Sequence, residues 1–208
     1  MENDWASANL QTIRTLMERS ALYRRALAPI MMVAGFIGLI ASAIAHFTKI
    51  ETNFAFAIFW IATSVVAFVI VLFLVRRQSL QESEPFWSLP TRRVWGSLLP
   101  HFFVGLIAGL LWIVPNLIPA GMSWILPPVW MVFYGCGLYA AGFFMKRSIK
   151  YFGWAFILCG ATLSFCVLSH PQFQTAAMAN GIMGLFFGAF HLAFGIYLFF
   201  TERKKNEV

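Results

Sequence analysis

Four histidines, at 46, 101, 170 and 191, are the side chains in this chain best suited to proton, metal or ligand chemistry. Imidazole is the side chain that changes charge near neutral pH and the commonest metal ligand. His191 belongs to a series, Ala177, Gly181, Gly184, Gly188, His191 and Gly195, that recurs at alternating steps of four and three and so follows one face of a helix. Small residues in such a stripe let a second helix approach closely. The same arrangement appears as His101, Gly105, Gly109, Trp112 and Asn116, and again as Gly35, Gly38, Ser42 and His46. An ionisable group inside an apolar run marks a functional site by default, and a hydrogen bond from neutral imidazole to a neighbouring helix is the competing structural role. The candidate polar site is therefore His191, His101, Asn116 and Trp112. The glycines at 35, 38, 105, 109, 181, 184, 188 and 195 are expected to pack helices.

Metal chemistry finds little support. His46 and His170 both fall at outer helix ends, but two imidazoles without a carboxylate or thiolate at matched spacing make a weak site. Cys136, Cys159 and Cys166 lie within apolar runs and read as reduced packing residues. No Gly-x-Ser-x-Gly elbow, His-Glu-x-x-His motif or phosphate-binding glycine loop is present. Ser42, Ser64, Thr162 and Ser164 have no identifiable base beside them. A non-enzymatic role without a cofactor is the expectation.

The elements that must position these groups follow from composition. Of 208 residues 60% are apolar and 11% charged, and the mean hydropathy is +0.75; soluble domains are roughly a quarter charged. Six apolar runs approach or exceed the roughly 20 residues a helix needs to cross a bilayer: 27–47, 54–75, 98–118, 122–145, 151–169 and 177–200. None holds Asp, Glu, Lys or Arg, which removes carboxylate relays. The fold expected is all-α, a polytopic six-helix transmembrane bundle of three antiparallel hairpins. In the fourth run Pro127 and Pro128 place the start of the regular helix near Pro127, with its end at Met145. Of fifteen Lys and Arg residues, only Lys49 falls outside the segments before span one, between spans two and three, between four and five, and after six. The positive-inside rule then puts both termini in the cytoplasm.

Residues 1–26 read as a basic amphipathic interfacial helix. Leu10, Ile13, Met17 and Ala21 recur at helical spacing, and Arg14, Arg19, Arg24 and Arg25 are available to anionic lipid or a cytoplasmic protein partner. Residues 201–208 form a basic tail, and no nucleic-acid binding is expected. The stretch Leu10-Gln11-Thr12-Ile13-Arg14-Thr15-Leu16-Met17-Glu18-Arg19, followed by Tyr23-Arg24 and Pro29, resembles the opening of a group of uncharacterised bacterial six-span membrane proteins. The resemblance covers about the first forty residues. It implies a bacterial inner-membrane location and a companion regulator encoded nearby, and brings no known activity.

Three functions compete on this reading. The first is a membrane scaffold or sensor signalling through its cytoplasmic face. The second is a transporter or channel for a small neutral solute, using Pro115, Asn116, Pro119, Pro127 and Pro128 to free backbone carbonyls. The third is a histidine-dependent metal or redox enzyme.

Overall fold

The computed structural model describes residues 27–81, 86–87 and 89–206. The amphipathic helix expected over 1–26, with Arg14, Arg19, Arg24 and Arg25, lies outside the described residues. Six helices are long and apolar enough to cross a membrane, and the described secondary structure is entirely helical. Helix α1 is Leu27–Phe47, α2 Asn53–Gln81 and α3 Leu89–Leu111. A 3-10 turn, Ser123–Ile125, leads into α4, Leu126–Ala141. Helix α5 is Arg147–Ser169. The last span is a composite rod, in which α6 (Ala176–Met183), a π-helical segment (Gly184–Phe190) and α7 (His191–Asn206) follow without a break.

Prolines lie at the start of α4 and just past the end of α3. Pro127 and Pro128 occupy the first turn of α4, where a missing N–H leaves no bond unmade. That helix stops at Ala141, short of Met145. The Gly142 N–H closes onto the Leu138 carbonyl at 2.8 Å, and Phe143 and Phe144 continue in tight turns. Helix α3 also departs from expectation. It starts at Leu89, so Arg92 and Arg93 are helical, and it ends at Leu111, short of Ile118. Beyond it the chain turns through Trp112→Gly109 and Leu117→Val114 backbone bonds, and Pro115 has no N–H to give the Leu111 carbonyl the bond that would continue the helix. Asn116 takes a left-handed φ of 60° in this loop and is exposed.

Glycine decides which helices touch most closely. A Cβ on Gly35 would lie 2.5 Å from the Leu192 backbone nitrogen, one on Gly188 2.8 Å from that of Leu39, and one on Gly195 2.7 Å from that of Met32. Gly184 meets Ser42 in the same row. As residue numbers rise along α1 they fall along the last span, so the two pack antiparallel, backbone against backbone. Helices α4 and α5 make a second such seam, with Gly135 against Gly153 and Ile157, and Gly160 against Met131 and Pro128. Where lipid removes the hydrophobic drive between helices, this proximity supplies the dispersion contacts that hold them.

Two apolar clusters lie along the bundle. One gathers Leu27, Met31, Leu138, Ile149, Phe152, Phe156 and Leu198, and the other Ala41, Phe56, Trp60, Trp124, Leu126, Val167 and Met183. The second sits towards the loops at one end, where Asn53 donates to the Pro119 carbonyl at 2.8 Å. Helix α2 leaves this end and, at 1.5 Å per residue, runs about 43 Å. It thereby carries Arg76 and Arg77 to the opposite end, which Arg92 and Arg93 near the start of α3 and Lys146, Arg147 and Lys150 around the start of α5 also occupy. Only 6% of the most apolar window of α2 is buried, against 50% for α4.

Candidate functional site

His191 is buried at the junction of the π-helical segment and α7. A π turn widens the helix by one residue per turn and is often found at functional sites. Here it brings the Phe186 carbonyl within 2.9 Å of His191 Nδ1. A carbonyl only accepts, so Nδ1 carries the proton, and in the neutral ring Nε2 is then an acceptor. Tyr134 of α4 donates its hydroxyl to that nitrogen at 2.7 Å. The bond crosses from the fourth span to the sixth and fixes both tautomer and rotamer.

Aromatic rings close around the pair. The imidazole lies 5.2 Å from Phe152, 5.3 Å from Phe156 and 6.0 Å from Phe187, and the Phe187 ring is stacked at 18° to it. Phe102 of α3 stacks on Tyr134 at 6.1 Å. Phe152 stacks on Phe194 at 4.1 Å, tying α5 to α7. The polar pair is therefore held by rings from α3, α5 and the sixth span, with one side left open.

That side is a partly open cavity of about 260 Å³ lined by α1, α2, α3, α4, α5 and the last span. Its walls pass from Leu27, Val75, Val94 and Ile149 near the basic end to Trp60, Met183, Tyr134 and His191 deeper in the bundle. A second cavity of about 310 Å³, between α2 and α3, shares Trp60, Ser64, Phe68, Tyr134 and Phe187 with the first and adds His101 and Gly105. Helix α2 thus has space on two sides. The lining is apolar apart from a few hydroxyls, the Tyr134–His191 pair and indole groups, a composition suited to a lipophilic body.

The four candidates from sequence part company here. His191 lines the first cavity and His101 the second, but the His101 ring is bonded to its own helix, Nδ1 to the Ser97 carbonyl at 2.9 Å. Trp112 lies past the end of α3 and donates to the Met122 carbonyl at 3.1 Å. Asn116 shares no helical face with Gly109, since the helix has already ended. The stripe is corrected to His101, Gly105 and Gly109, against which Trp130 packs. Trp130 also donates to the Gly105 carbonyl at 2.8 Å, an approach to the backbone that the missing side chain permits. Gly181 likewise departs from its row, as a Cβ there would meet nothing within 4 Å.

The outer histidines take local roles. His46 is exposed and edge-on to Phe47 at 5.6 Å. His170 Nδ1 bonds the Cys166 carbonyl at 3.0 Å. Among the described residues no group of three or more His, Cys, Asp or Glu side chains is placed to hold a metal. Pro127 and Pro128 are fully buried in α4 and free no carbonyl of a continuing helix.

Sequence reasoning passed over two residues that the structure makes central. Asn180 is buried and receives the Trp60 indole N–H at 2.9 Å, donates to the Ile50 carbonyl at 3.0 Å, and offers its backbone carbonyl to Ser42 at 3.0 Å. It fastens α1, the first loop and α2 to α6. Tyr134 supplies the partner of His191. An amide one turn before Gly184 in an apolar run was a legible signal for the first, while nothing local marked the second. Comparisons with known proteins match no family model, no curated protein and no solved structure.

Proposed function

We propose that this chain is a non-enzymatic sensor or scaffold of the bacterial inner membrane, built as three hairpins with both termini cytoplasmic, that signals through its basic face. The observation that carries the reading is the pairing of a cavity with the least buried helix. Helix α2 lines one wall and leaves space on two sides, and it carries Arg76 and Arg77 in its last two turns. A molecule entering the cavity changes what α2 packs against, and only an occupant with different affinity for the two arrangements shifts their populations. The displaced end of α2 belongs to the basic end, where the positive-inside rule locates the cytoplasm.

The test is capture of the tagged full-length protein by cross-linking in its own membrane, beside a chain lacking residues 1–22. A cytoplasmic protein should accompany the full chain and be lost on deletion, while both chains elute as the same monodisperse species. Equal capture by both would remove the amino-terminal segment from partner docking. A full-length chain that captures no protein would reject signalling to a partner.

A further inference from the structure

We infer that the cavity beside α2 binds a lipophilic molecule through a hydroxyl that donates to Tyr134, and that it selects against the same molecule with that proton replaced. The inference deepens the sensor reading by naming the ligand class.

The protons at the deep end are all committed. Thr63 Oγ1 donates to the Phe59 carbonyl at 2.9 Å, and Ser64 Oγ to that of Ile61 at 2.7 Å. The Trp60 indole N–H is given to Asn180 and the His191 Nδ1 proton to Phe186. The Tyr134 hydroxyl proton goes to His191 Nε2. Every donor among these five residues is therefore engaged inside the protein. Hydroxyl oxygens, however, keep lone pairs after donating. The deep end accepts hydrogen bonds and has none to give.

A guest with a carbonyl or ether oxygen there would set acceptor against acceptor, and one with a hydroxyl meets a matching oxygen. Tyr134 lies beside His191 at the deep end of the wall, and donation to an imidazole nitrogen raises electron density on its oxygen, since bonds in such a chain reinforce one another. Trp95, whose indole also lines the cavity, belongs to the basic end, three residues past Arg92, with its ring edge-on to Phe68 at 5.3 Å. The guest's orientation follows, with the hydroxyl deep and the apolar body towards Val71, Val75 and Val94. An apolar cavity of about 150 Å³ holds benzene, so about 260 Å³ suits a fused two-ring body or a chain of comparable volume.

The experiment uses the full chain in phosphatidylcholine nanodiscs. The probes are 6-bromo-2-naphthol and its methyl ether, 2-bromo-6-methoxynaphthalene, whose bromine quenches tryptophan, with Trp60 and Trp95 in the cavity wall. The naphthol should quench saturably, with an affinity about tenfold above that of the ether, the ratio expected of one net hydrogen bond. Ala67→Phe, which fills the wall of α2, should abolish saturable quenching. His191→Phe releases the Tyr134 proton to the cavity, so the ether should gain affinity and the preference should fall to about threefold or less.

Equal affinities for the two probes in the unaltered protein would overturn the inference, as would saturable binding that survives Ala67→Phe. Quenching that rises linearly with probe would overturn it too, since the cavity then holds lipid chains. Because the wild-type comparison stands alone, failure of His191→Phe to fold does not protect the idea. Binding is read without any partner. Loss of the probe preference with partner capture intact removes only the ligand class, and probe binding without capture removes only the sensor reading.

Discussion

The seam between α1 and the last span and the wall built by α2 draw on the same apolar vocabulary, yet they are packed in opposite ways. At the seam Gly35, Gly188 and Gly195 bring backbone to within a methyl group of backbone. Along α2 the bulky Trp60, Phe68 and Val71 stand beside open volume. The difference lies in what the side chains allow. Small residues in register permit two helices to share a surface, and large ones at uneven spacing hold a neighbour away. One region is fixed by geometry, and the other has room to move.

The largest expected effect breaks the tight region. Gly35→Leu or Gly38→Leu places a branched side chain where the Leu192 or Phe187 backbone already sits. Overpacking costs typically 1–3 kcal/mol when neighbours can shift, and here the neighbour is backbone, so roughly 3 kcal/mol or more is expected. The check is thermal unfolding in detergent followed by size exclusion, where these variants should aggregate or melt well below the parent. Gly181→Ala sharpens the comparison. It adds a methyl to the same rod, facing open space, and should leave the melting point unchanged or raise it, since alanine favours the helix by up to about 1 kcal/mol.

The next effect concerns the point where the two regions meet. Asn180 is the clasp by which α6 holds α2, through Trp60, and the first loop, through Ile50. Asn180→Leu keeps the size and leaves the Trp60 N–H and the Ile50 carbonyl without their partner. About 2 kcal/mol of destabilisation is expected for stranded buried groups. Hydrogen exchange should locate the loosening in α2 and the 48–52 loop and leave the α4–α5 seam protected. Uniform loss of protection across all helices would show that α2 is no more independent than the rest.

A smaller effect is expected at the polar pair. Tyr134→Phe keeps the ring against Phe102 and Phe156 and removes the hydroxyl bond to His191. Hydrogen bonds between membrane helices average about 0.6 kcal/mol and reach about 1.7, so roughly 1 kcal/mol is expected by denaturant titration. A loss as large as that of Asn180→Leu would make the pair a principal fastening of the bundle and weaken the case for a ligand-facing site.

How much of this was legible in the sequence divides along the same line. The six apolar runs and the glycine rows are periodic, and periodicity survives in a sequence. Gly184, Gly188 and Gly195 all lie against α1. The end of α3 is not legible in apolarity, because the apolar run continues past Leu111 while the helix stops there, so apolarity and helicity part company. The π turn leaves no mark either, since glycine and phenylalanine fit α and π geometry alike, and it is visible only in the folded backbone over Gly184–Phe190. Tyr134 could not be paired with His191 by spacing, because they lie 57 residues apart and meet only through packing. The cavity was illegible for the same reason, since volume between helices has no local signature.

The smallest expected effect tests the loose region by filling it. Ala67 faces the cavity from α2, and Ala67→Leu adds three carbons, one fewer than Gly35→Leu adds at the seam. Cavity filling typically stabilises by about 0.5–2 kcal/mol, and the lower end is expected because the space adjoins a helix that is hardly buried. The sign carries the argument. If Ala67→Leu raises the melting point while Gly35→Leu destroys the fold, then the space beside α2 is real volume in the resting protein and the seam is not. If both destabilise alike, the wall of α2 is already closed against its neighbours, and the motion proposed for it has nowhere to occur.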